Sequence, residues 1–276
     1  MATIAEWLHA GDDLPGDSPR RDCEILLAHV LGKSRTWLYT WPEREVGAGQ
    51  GETLTQLLQR RREGMPVAYL TGRREFWSLA LEVNSATLIP RPETETLVEW
   101  ALELALPTAA AVLDMGTGSG AIALALAVER ARWEITAVDA SIAALAIARA
   151  NGERLCPQRV HFVESDWFSD LAGSRWDLIV SNPPYVEADS PYLQRGDLRF
   201  EPHSALVAGS SGLDDIVRLA AAAPHYLRPG GWLLLEHGFE QGAAVRRLLD
   251  AAGLQQVATR CDLAGHERIT GGRSAD

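Results

Sequence analysis

The sequence predicts an α/β fold in which a doubly wound, mainly parallel sheet follows a small helical bundle. Seven apolar, strand-like segments in the later part of the chain are interleaved with helical segments, the order typical of a sheet with helices on both faces. Residues 1–72 instead place their apolar side chains at helical spacing. A glycine-rich loop at residues 116–120 follows the first strand of the alternating region and indicates a ligand site at the edge of the sheet.

The helical bundle is predicted by segments with clear start and stop signals. Ser18 and Pro19 suit an N-cap and a first helical turn, and Gly32 suits the end of the same helix. The leucine pattern recurs in residues 51–62. We therefore expect residues 1–72 to form a helical N-terminal domain.

In residues 73–90 the helical spacing gives way to partly alternating apolar positions, with a turn signal at Asn84 and Ser85. This pattern predicts a strand or hairpin linking the helical domain to a second domain, residues 91–276. The first helix of that domain is predicted to run through about Leu106. Further helices are predicted near residues 119–130, 141–152, 213–223 and 240–252. Strands are predicted near residues 110–114, 134–138, 160–164, 176–180, 231–236, 254–260 and 266–271.

The composition is that of an ordinary globular protein, with 46% hydrophobic and 23% charged residues. Neither a signal peptide nor an apolar run long enough for a membrane span is found. The cysteines, Cys23, Cys156 and Cys261, are scattered and form no CxxC or Cys/His cluster. This predicts a reduced, cytoplasmic protein without a disulfide framework or a metal site. The net charge of −11 argues against stable nucleic-acid binding, which needs a basic surface.

The glycine-rich loop lies where a strand gives way to a helix, so its backbone can approach a ligand closely. Asp139 ends the next predicted strand, where a carboxylate is expected to bind ribose hydroxyls. These features fit a nucleotide-type ligand and leave NAD and S-adenosylmethionine open. Asp114, just before the loop, favours S-adenosylmethionine, because a carboxylate can accept from an ammonium group and gains nothing beside a pyrophosphate.

A second pair of candidate residues, Asp166 and Trp167, follows the third predicted strand. A carboxylate at this position can accept from the amine of an adenine ring, and an indole can flank that ring. A capping aspartate beside a core tryptophan is the alternative interpretation of the same two residues.

The tetrapeptide Asn182-Pro183-Pro184-Tyr185 directly follows an apolar strand. Because proline offers no N–H to a sheet and restricts its own φ, the strand must end there in a stiff loop. The loop presents an amide side chain, free carbonyls and an aromatic ring at the edge where open α/β sheets bind ligands. It suits a planar group with N–H donors, such as a carboxamide or the exocyclic amine of a base.

The combined motifs resemble the release factor glutamine methyltransferase family (PrmC/HemK). The glycine-rich loop and the tetrapeptide together are typical of methyltransferases that modify planar nitrogens. Four further segments narrow the resemblance, at residues 91–95, 200–202, 235–238 and 262–268. It covers essentially the whole chain, with mild departures at Met115, where the family usually has Leu, and at Phe200, where Tyr is common.

The resemblance implies a seven-stranded, Rossmann-like methyltransferase domain with an antiparallel last strand. It also implies methyl transfer from S-adenosyl-L-methionine to the side-chain amide nitrogen (N5) of a glutamine in the GGQ motif of peptide-chain release factors, which leaves S-adenosyl-L-homocysteine. The helical domain would then recognise the release factor. We expect a monomer that does not associate with membranes.

By matching positions, the resemblance also implies roles for individual residues. The catalytic residues are Asn182, Pro183 and Tyr185. The cofactor-binding residues are Asp114, Gly116, Thr117, Gly118, Ser119, Gly120, Asp139, Asp166, Trp167 and Asn182. The substrate-binding residues are Asn182, Pro183, Pro184, Tyr185, Arg91 and Glu93.

Three other functions fit the sequence less well. A methyltransferase acting on an exocyclic amine of a nucleic-acid base would share the tetrapeptide, but the acidic chain offers little to neutralise phosphate. A non-catalytic, cofactor-binding adaptor would not need the Asn182 loop. A nicotinamide dehydrogenase lacks a convincing acid for hydride transfer. His237 is a candidate base at a strand end, although a hydrogen-bonded structural role is the preferred interpretation.

Overall fold

A computed structural model describes residues 2–276, which form two compact units. One unit holds the residues up to Arg73 together with Pro191–Phe200, and the other holds Arg74–Ser190 and Glu201–Asp276. No helix within residues 2–276 has the length and apolar character that a membrane crossing needs.

The first unit is a helical bundle, as the sequence predicts. Its helices within residues 2–73 are α1 (Ile4–His9), α2 (Pro19–Leu31), α3 (Arg35–Thr40), α4 (Ala48–Arg62) and α5 (Val67–Thr71). Pro19 begins α2 and Gly32 ends it with a φ of 62°, a left-handed conformation that favours glycine. Ser18 occupies the predicted N-cap position, but its side chain makes no capping hydrogen bond. Cys23 and Leu27 of α2 are fully buried in the bundle core.

A buried arginine holds the inserted segment Pro191–Phe200 within this unit. Arg61 is only 7% exposed. Its guanidinium forms ion pairs with Asp22 at 2.8 Å and with Asp197 of the inserted segment at 3.2 Å. Because a buried charge needs partners, Arg61 makes the insertion part of the helical core.

A short hairpin follows in the chain, formed by β1 (Arg73–Phe76) and β2 (Leu79–Glu82). Its turn residues, Trp77 and Ser78, have φ values of 51° and 58°, as in a type I′ turn. Asn151 is fully buried and ties β2 into the second unit. The Asn151 side chain accepts from the backbone N–H of Glu82 at 2.7 Å and donates to the Glu82 carbonyl at 3.0 Å.

A seven-stranded sheet forms the centre of the second unit. Its strands are β3 (Ala111–Met115), β4 (Glu134–Asp139), β5 (Val160–Glu164), β6 (Trp176–Ser181), β7 (Leu227–Glu236), β8 (Gln255–Cys261) and β9 (Glu267–Arg273). They lie in the order β5-β4-β3-β6-β7-β9-β8. The pairs are parallel except those of β9, which runs antiparallel to both β7 and β8. The predicted mainly parallel sheet with an antiparallel last strand is confirmed.

The sheet is buried on both faces by helices. These are α6 (Glu95–Glu103), α7 (Ala121–Glu129), α8 (Ile142–Leu155), α9 (Asp214–Tyr226) and α10 (Gly242–Ala251). Val112 packs in a core with Leu124 of α7, whereas Leu113 packs in a second core with Ile216 of α9. Because neighbouring strand residues point to opposite faces, both faces of β3 are apolar, as expected for a parallel sheet.

Several boundaries differ from the prediction by a few residues, as at α6 and β7. The helix predicted to run through about Leu106 ends at Glu103, and Leu104 is already extended with a ψ of 138°. The strand predicted from residue 231 begins at Leu227, which pairs with Trp176 before an irregularity in the register.

Replacing Arg61 tests its role in the first unit. Arg61→Met keeps most of the side-chain volume but leaves Asp22 and Asp197 without their shared partner, and we expect the free energy of unfolding to fall by about 2–4 kcal/mol. Limited proteolysis should also cut the segment Pro191–Phe200 faster. The matched control Arg60→Met alters an exposed side chain of the same helix and should change stability by less than about 0.5 kcal/mol. Wild-type protease resistance in Arg61→Met would contradict this role.

Candidate active site

The C-terminal ends of four adjacent strands meet at one edge of the sheet. Because β3, β4, β6 and β7 are parallel neighbours, their last residues reach this edge together. These residues are Met115, Asp139, Ser181 and Glu236. The strand order reverses at β3, which pairs with β4 on one side and β6 on the other. Such a switch point is where open α/β sheets bind ligands.

A cavity of about 480 Å³ opens at this edge. Ten of the residues predicted from the sequence line it: Arg91, Gly116, Thr117, Gly118, Ser119, Asp139, Asp166, Trp167, Asn182 and Pro184. Five others are not part of its wall: Glu93, Asp114, Gly120, Pro183 and Tyr185. Several lining residues are not predicted from the sequence, notably Phe76, Thr87, Thr94, Asp215 and Arg218.

The glycine-rich loop presents bare backbone to the cavity. Gly116 has a φ of 69°, and a Cβ added there would lie 3.5 Å from the Trp167 ring. Gly118 has a φ of 57°, and a Cβ there would meet no heavy atom within 4 Å. The left-handed backbone favours glycine at both positions. The open space beside Gly118 is therefore available to a ligand that approaches the main chain.

Asp139 ends β4 and lies half-buried in the cavity wall. Its two carboxylate oxygens accept from the backbone N–H groups of Gly118 and Ser141, each at 2.8 Å. Burial raises the pKa of this carboxyl, while the two hydrogen bonds stabilise its charged form. Because a carboxylate has about four lone-pair sites, Asp139 can still accept from the hydroxyl groups of a ligand.

Asp114 lies beneath the glycine-rich loop and is fully buried. Its Oδ2 accepts from the Thr117 hydroxyl at 2.6 Å and from the Ala123 N–H at 3.2 Å. Its Oδ1 is buried without a hydrogen-bond partner among residues 2–276. Burial raises the pKa of Asp114 to about 7. The carboxylate is thus below the cavity wall, with one oxygen lacking a donor.

Trp167 and Asp166 follow β5 and contact the first turns of α9. The Trp167 indole N–H donates to Asp215 at 3.1 Å, and Trp167 itself has a φ of 51°. The exposed Asp166 carboxylate pairs with Arg218 at 3.2 Å. Because α9 lies about 50 residues downstream in the chain, only the tertiary fold brings Asp215 and Arg218 to this wall.

The Asn182 loop begins where β6 ends. Ser181 is fully buried, and its hydroxyl donates to the Met115 carbonyl at 2.7 Å, which fastens β6 to β3. The Asn182 side chain lines the cavity and donates through Nδ2 to the Thr94 hydroxyl at 3.1 Å. Pro183 is buried and Pro184 faces the cavity. The nitrogen of the Asn182 amide is therefore held by Thr94, while Asn182 itself forms part of the cavity wall.

A second anchor of this loop is Glu236 at the end of β7. The Tyr185 hydroxyl donates to Glu236 Oε1 at 3.3 Å, and burial raises the pKa of Tyr185. Glu236 is 1% exposed, and its Oε2 has no hydrogen-bond partner within the described residues. Burial raises the pKa of Glu236 to about 7, while the nearby Thr94 and Tyr185 hydroxyls and the charge of Arg268 act to lower it.

Of the two residues predicted to bind substrate before α6, the structure brings only Arg91 to the cavity. Arg91 pairs with the Glu201 carboxylate, which also accepts from the Ile89 N–H at 3.0 Å. Glu93 is not part of the cavity wall, and its charge raises the pKa of nearby Glu236. Arg91 is thus a half-buried cation on the wall, held by a buried carboxylate.

His237 has the structural role preferred from the sequence. It is fully buried, with Nε2 hydrogen-bonded to the Thr270 hydroxyl and Nδ1 to the Gly238 carbonyl, both at 2.8 Å. Burial lowers the pKa of this imidazole. No cluster of His, Cys, Asp and Glu suited to a metal ion occurs in the part of the chain that the structure describes.

Family models match both parts of the chain. The model described as the PrmC N-terminal domain matches residues 10–72, and the one described as the methyltransferase small domain matches residues 94–194. The release factor glutamine methyltransferase of Pseudomonas aeruginosa is 54% identical over 100% of both chains. The protein of the same name from Salmonella typhimurium is 52% identical over 97% of each.

A solved structure shares much of this fold. A methyltransferase from Pyrococcus furiosus superposes with a TM-score of 0.55 at 19% identity, over 72% of this chain and 90% of that one. At this level of identity the likeness concerns the fold alone.

The unpartnered oxygen of Asp114 predicts a gain in stability when its charge is removed. Because the pKa is raised from 3.8 to about 7, folding favours the protonated form of this carboxyl. The resulting stabilisation of the fold is present below about pH 4 and is lost as the pH rises to about 7. In Asp114→Asn, the free energy of unfolding at pH 8 should exceed the wild-type value by about 1–4 kcal/mol, a difference that shrinks toward pH 4. Urea denaturation at both pH values measures it.

A matched control separates this effect from the loss of any buried carboxylate. Asp177 in β6 accepts from the Ala111 N–H and pairs with Arg228, both at 2.7 Å. Asp177→Asn should therefore lower the free energy of unfolding at pH 8. An Asp114→Asn protein that is equally destabilised at pH 8 would contradict the assignment of Asp114.

Proposed function

This chain belongs to the release factor glutamine methyltransferase family, and we propose that it transfers a methyl group from S-adenosylmethionine to the side-chain amide nitrogen of a glutamine in a peptide-chain release factor. The observation that carries the proposal is the Asn182 loop, whose amide lines the cavity while Thr94 holds its nitrogen. A relative named release factor glutamine methyltransferase matches the chain over its full length, so the same activity is expected here.

The residues around the cavity fit S-adenosylmethionine. Asp139 can accept from ribose hydroxyls, and the Trp167 indole can flank an adenine ring. The open space beside Gly118 admits a ligand against the main chain. The orphaned Oδ1 of Asp114 lies under this loop and suits a cationic donor such as the ammonium of a bound amino acid. When bound, S-adenosylmethionine supplies an electrophilic methyl group.

The Asn182 loop is suited to an amide acceptor. An amide nitrogen is a poor nucleophile because its lone pair is delocalised into the carbonyl, but its two N–H groups can be held. The Oδ1 atom of Asn182 and the backbone carbonyl of Pro183 would each accept one of them. Both oxygens then favour the positive charge that builds on nitrogen as the new bond forms. The methylated nitrogen is acidic enough to lose its proton to water without a strong base.

The remaining predicted residues would shape the substrate slot. Pro184 and Arg91 already line the cavity. The Tyr185 hydroxyl is bound to Glu236, so its role would be to pack its ring beside the amide plane. Glu93 does not line the cavity, so it would contact the substrate outside it. The helical unit, including the inserted segment Pro191–Phe200, would recognise the release factor.

We propose a monomeric, cytoplasmic enzyme whose only macromolecular partner is a protein. Cys23, Cys156 and Cys261 are free thiols, as in reducing compartments. The cavity-lining arginines are already paired, Arg91 with Glu201 and Arg218 with Asp166. With a net charge of −11, little cationic surface is left for a nucleic-acid backbone.

Replacing Asn182 tests the acceptor geometry. Asn182→Ala removes one preorganised acceptor, and we expect turnover to fall by about 10²-fold or more. The measurement is methyl incorporation from labelled S-adenosylmethionine into a purified release factor. The melting temperature of the variant, measured by circular dichroism, serves as the control for an intact fold. Full turnover in Asn182→Ala would contradict the mechanism.

The acceptor itself is tested in parallel reactions. Purified release factor, a release factor with the glutamine of its GGQ motif changed to alanine, ribosomal RNA and DNA are each incubated with the enzyme and labelled S-adenosylmethionine. We expect label in the first alone, mapped by mass spectrometry to the glutamine side chain. Label in nucleic acid alone would favour the base amine methyltransferase, and no label anywhere would favour the adaptor.

A further inference from the structure

Trp167 on the cavity wall has a backbone conformation that a tryptophan rarely adopts. Its φ of 51° lies in the left-handed region, which is unfavourable for a bulky side chain. Such a conformation persists only where the surrounding structure enforces it, and it is found mainly at functional sites. The contacts of Trp167 therefore indicate which residues hold its indole in the cavity wall.

Ser165 fixes the main chain of Trp167. The Ser165 side chain is buried, and its hydroxyl donates to the Trp167 carbonyl at 2.7 Å and accepts from the Asp170 N–H at 3.1 Å. The backbone N–H of Ser165 donates to the Asp139 carbonyl at 3.1 Å, where β4 ends. Trp167 is thus attached to the edge of the sheet, so its side chain leaves the main chain in a set direction.

Asp215 restricts the rotation that remains to the Trp167 side chain. The indole has a single polar group, an N–H that can only donate. It donates to Oδ1 of Asp215, in the first turn of α9, at 3.1 Å. A rotated indole would direct its N–H away from this carboxylate and lose the bond. In the observed orientation, the six-membered ring lies 3.5 Å from where a Cβ added to Gly116 would be, beside the glycine-rich loop.

We propose that Asp215 is a positioning residue that holds the Trp167 indole in the orientation in which the ring flanks the adenine of S-adenosylmethionine. The inference rests on the proposed role of Trp167 in binding the cofactor. A ring that is already held does not have to be ordered when the ligand binds, and this preorganisation increases affinity. The proposal gives α9 a part in the cofactor site, beside the strand ends and the glycine-rich loop.

Asp214 provides a matched control for Asp215. Both carboxylates lie in the first turn of α9, where a negative charge favours the helix dipole. The indole hydrogen bond goes to Asp215 and not to Asp214, which is exposed. Alanine at either position therefore removes one charge from the same helical turn, but only Asp215→Ala releases the indole.

The orientation of the indole can be measured in the full-length protein without ligand. The chain has nine tryptophans, and incorporation of 5-fluorotryptophan gives each a ¹⁹F NMR signal. The signal that Trp167→Phe removes belongs to Trp167. We expect it to shift or broaden in Asp215→Ala and to keep its position in Asp214→Ala. Asp215→Asn retains an acceptor oxygen and should leave the signal close to that of the wild type.

The contribution to ligand binding is measured by calorimetry with S-adenosylhomocysteine, which carries the same adenine. In Asp215→Ala, the dissociation constant should rise about 5- to 10-fold, because the indole then takes the binding orientation only about 10–20% of the time. In Asp214→Ala and Asp215→Asn, it should stay within about 2-fold of the wild-type value. Adding Asp215→Ala to Trp167→Phe should change it by less than about 2-fold, because the interaction is already lost.

Three results would overturn the positioning role. They are a wild-type ¹⁹F signal of Trp167 in Asp215→Ala, an equal loss of affinity in Asp214→Ala and Asp215→Ala, and an Asp215→Ala effect as large with Phe at position 167 as with Trp. Should Asp215→Ala fail to fold, Asp215→Leu, which also lacks an acceptor, takes its place.

The same measurements distinguish this inference from the proposed function. Neither requires a release factor, so a failure of the positioning role leaves the role of Asn182 intact. A wild-type protein that does not bind S-adenosylhomocysteine would instead contradict the proposed function itself.

Discussion

The hydrogen bond from the Asn182 amide to the Thr94 hydroxyl is the interaction on which the candidate site depends. It joins residues 88 positions apart and connects the end of β6 to the turn before α6. Two prolines stiffen the loop that follows Asn182, so one bond suffices to orient its amide. The position of the Asn182 amide in the cavity wall therefore depends on this one hydrogen bond.

Strand-end carboxylates form a common feature of this sheet edge. Asp114, Asp139 and Glu236 end three strands or lie one residue before an end, and burial raises the pKa of each. Asp114 and Glu236 each keep one oxygen without a partner in the described chain. Natural proteins keep such destabilising groups where they contribute to binding or catalysis. The positions of these buried carboxylates therefore mark the site as clearly as the cavity does.

Much of the fold and of the candidate site can be predicted from local sequence, whereas the rest depends on contacts that only the tertiary fold creates. Strand and helix alternation predicted the sheet, because hydrophobic periodicity is a local signal, and the glycine-rich loop and Asp139 are tied to strand ends. Thr94, Asp215 and Arg218 were missed because only tertiary folding brings them to the wall. Glu236 was noticed as part of a resembling segment, but its contact with Tyr185 depends on the order of β6 and β7.

The central claim is that the Asn182 amide presents its oxygen to the glutamine and its nitrogen to Thr94. Neutron diffraction from a crystal of the protein with S-adenosylhomocysteine and a glutamine-containing release factor peptide measures this most directly, because it distinguishes N–D groups from oxygen. We expect deuterium on the glutamine nitrogen directed at Asn182 Oδ1, and deuterium on Asn182 Nδ2 directed at Thr94. An Asn182 amide in the opposite orientation, or a glutamine bound away from Asn182, would contradict it.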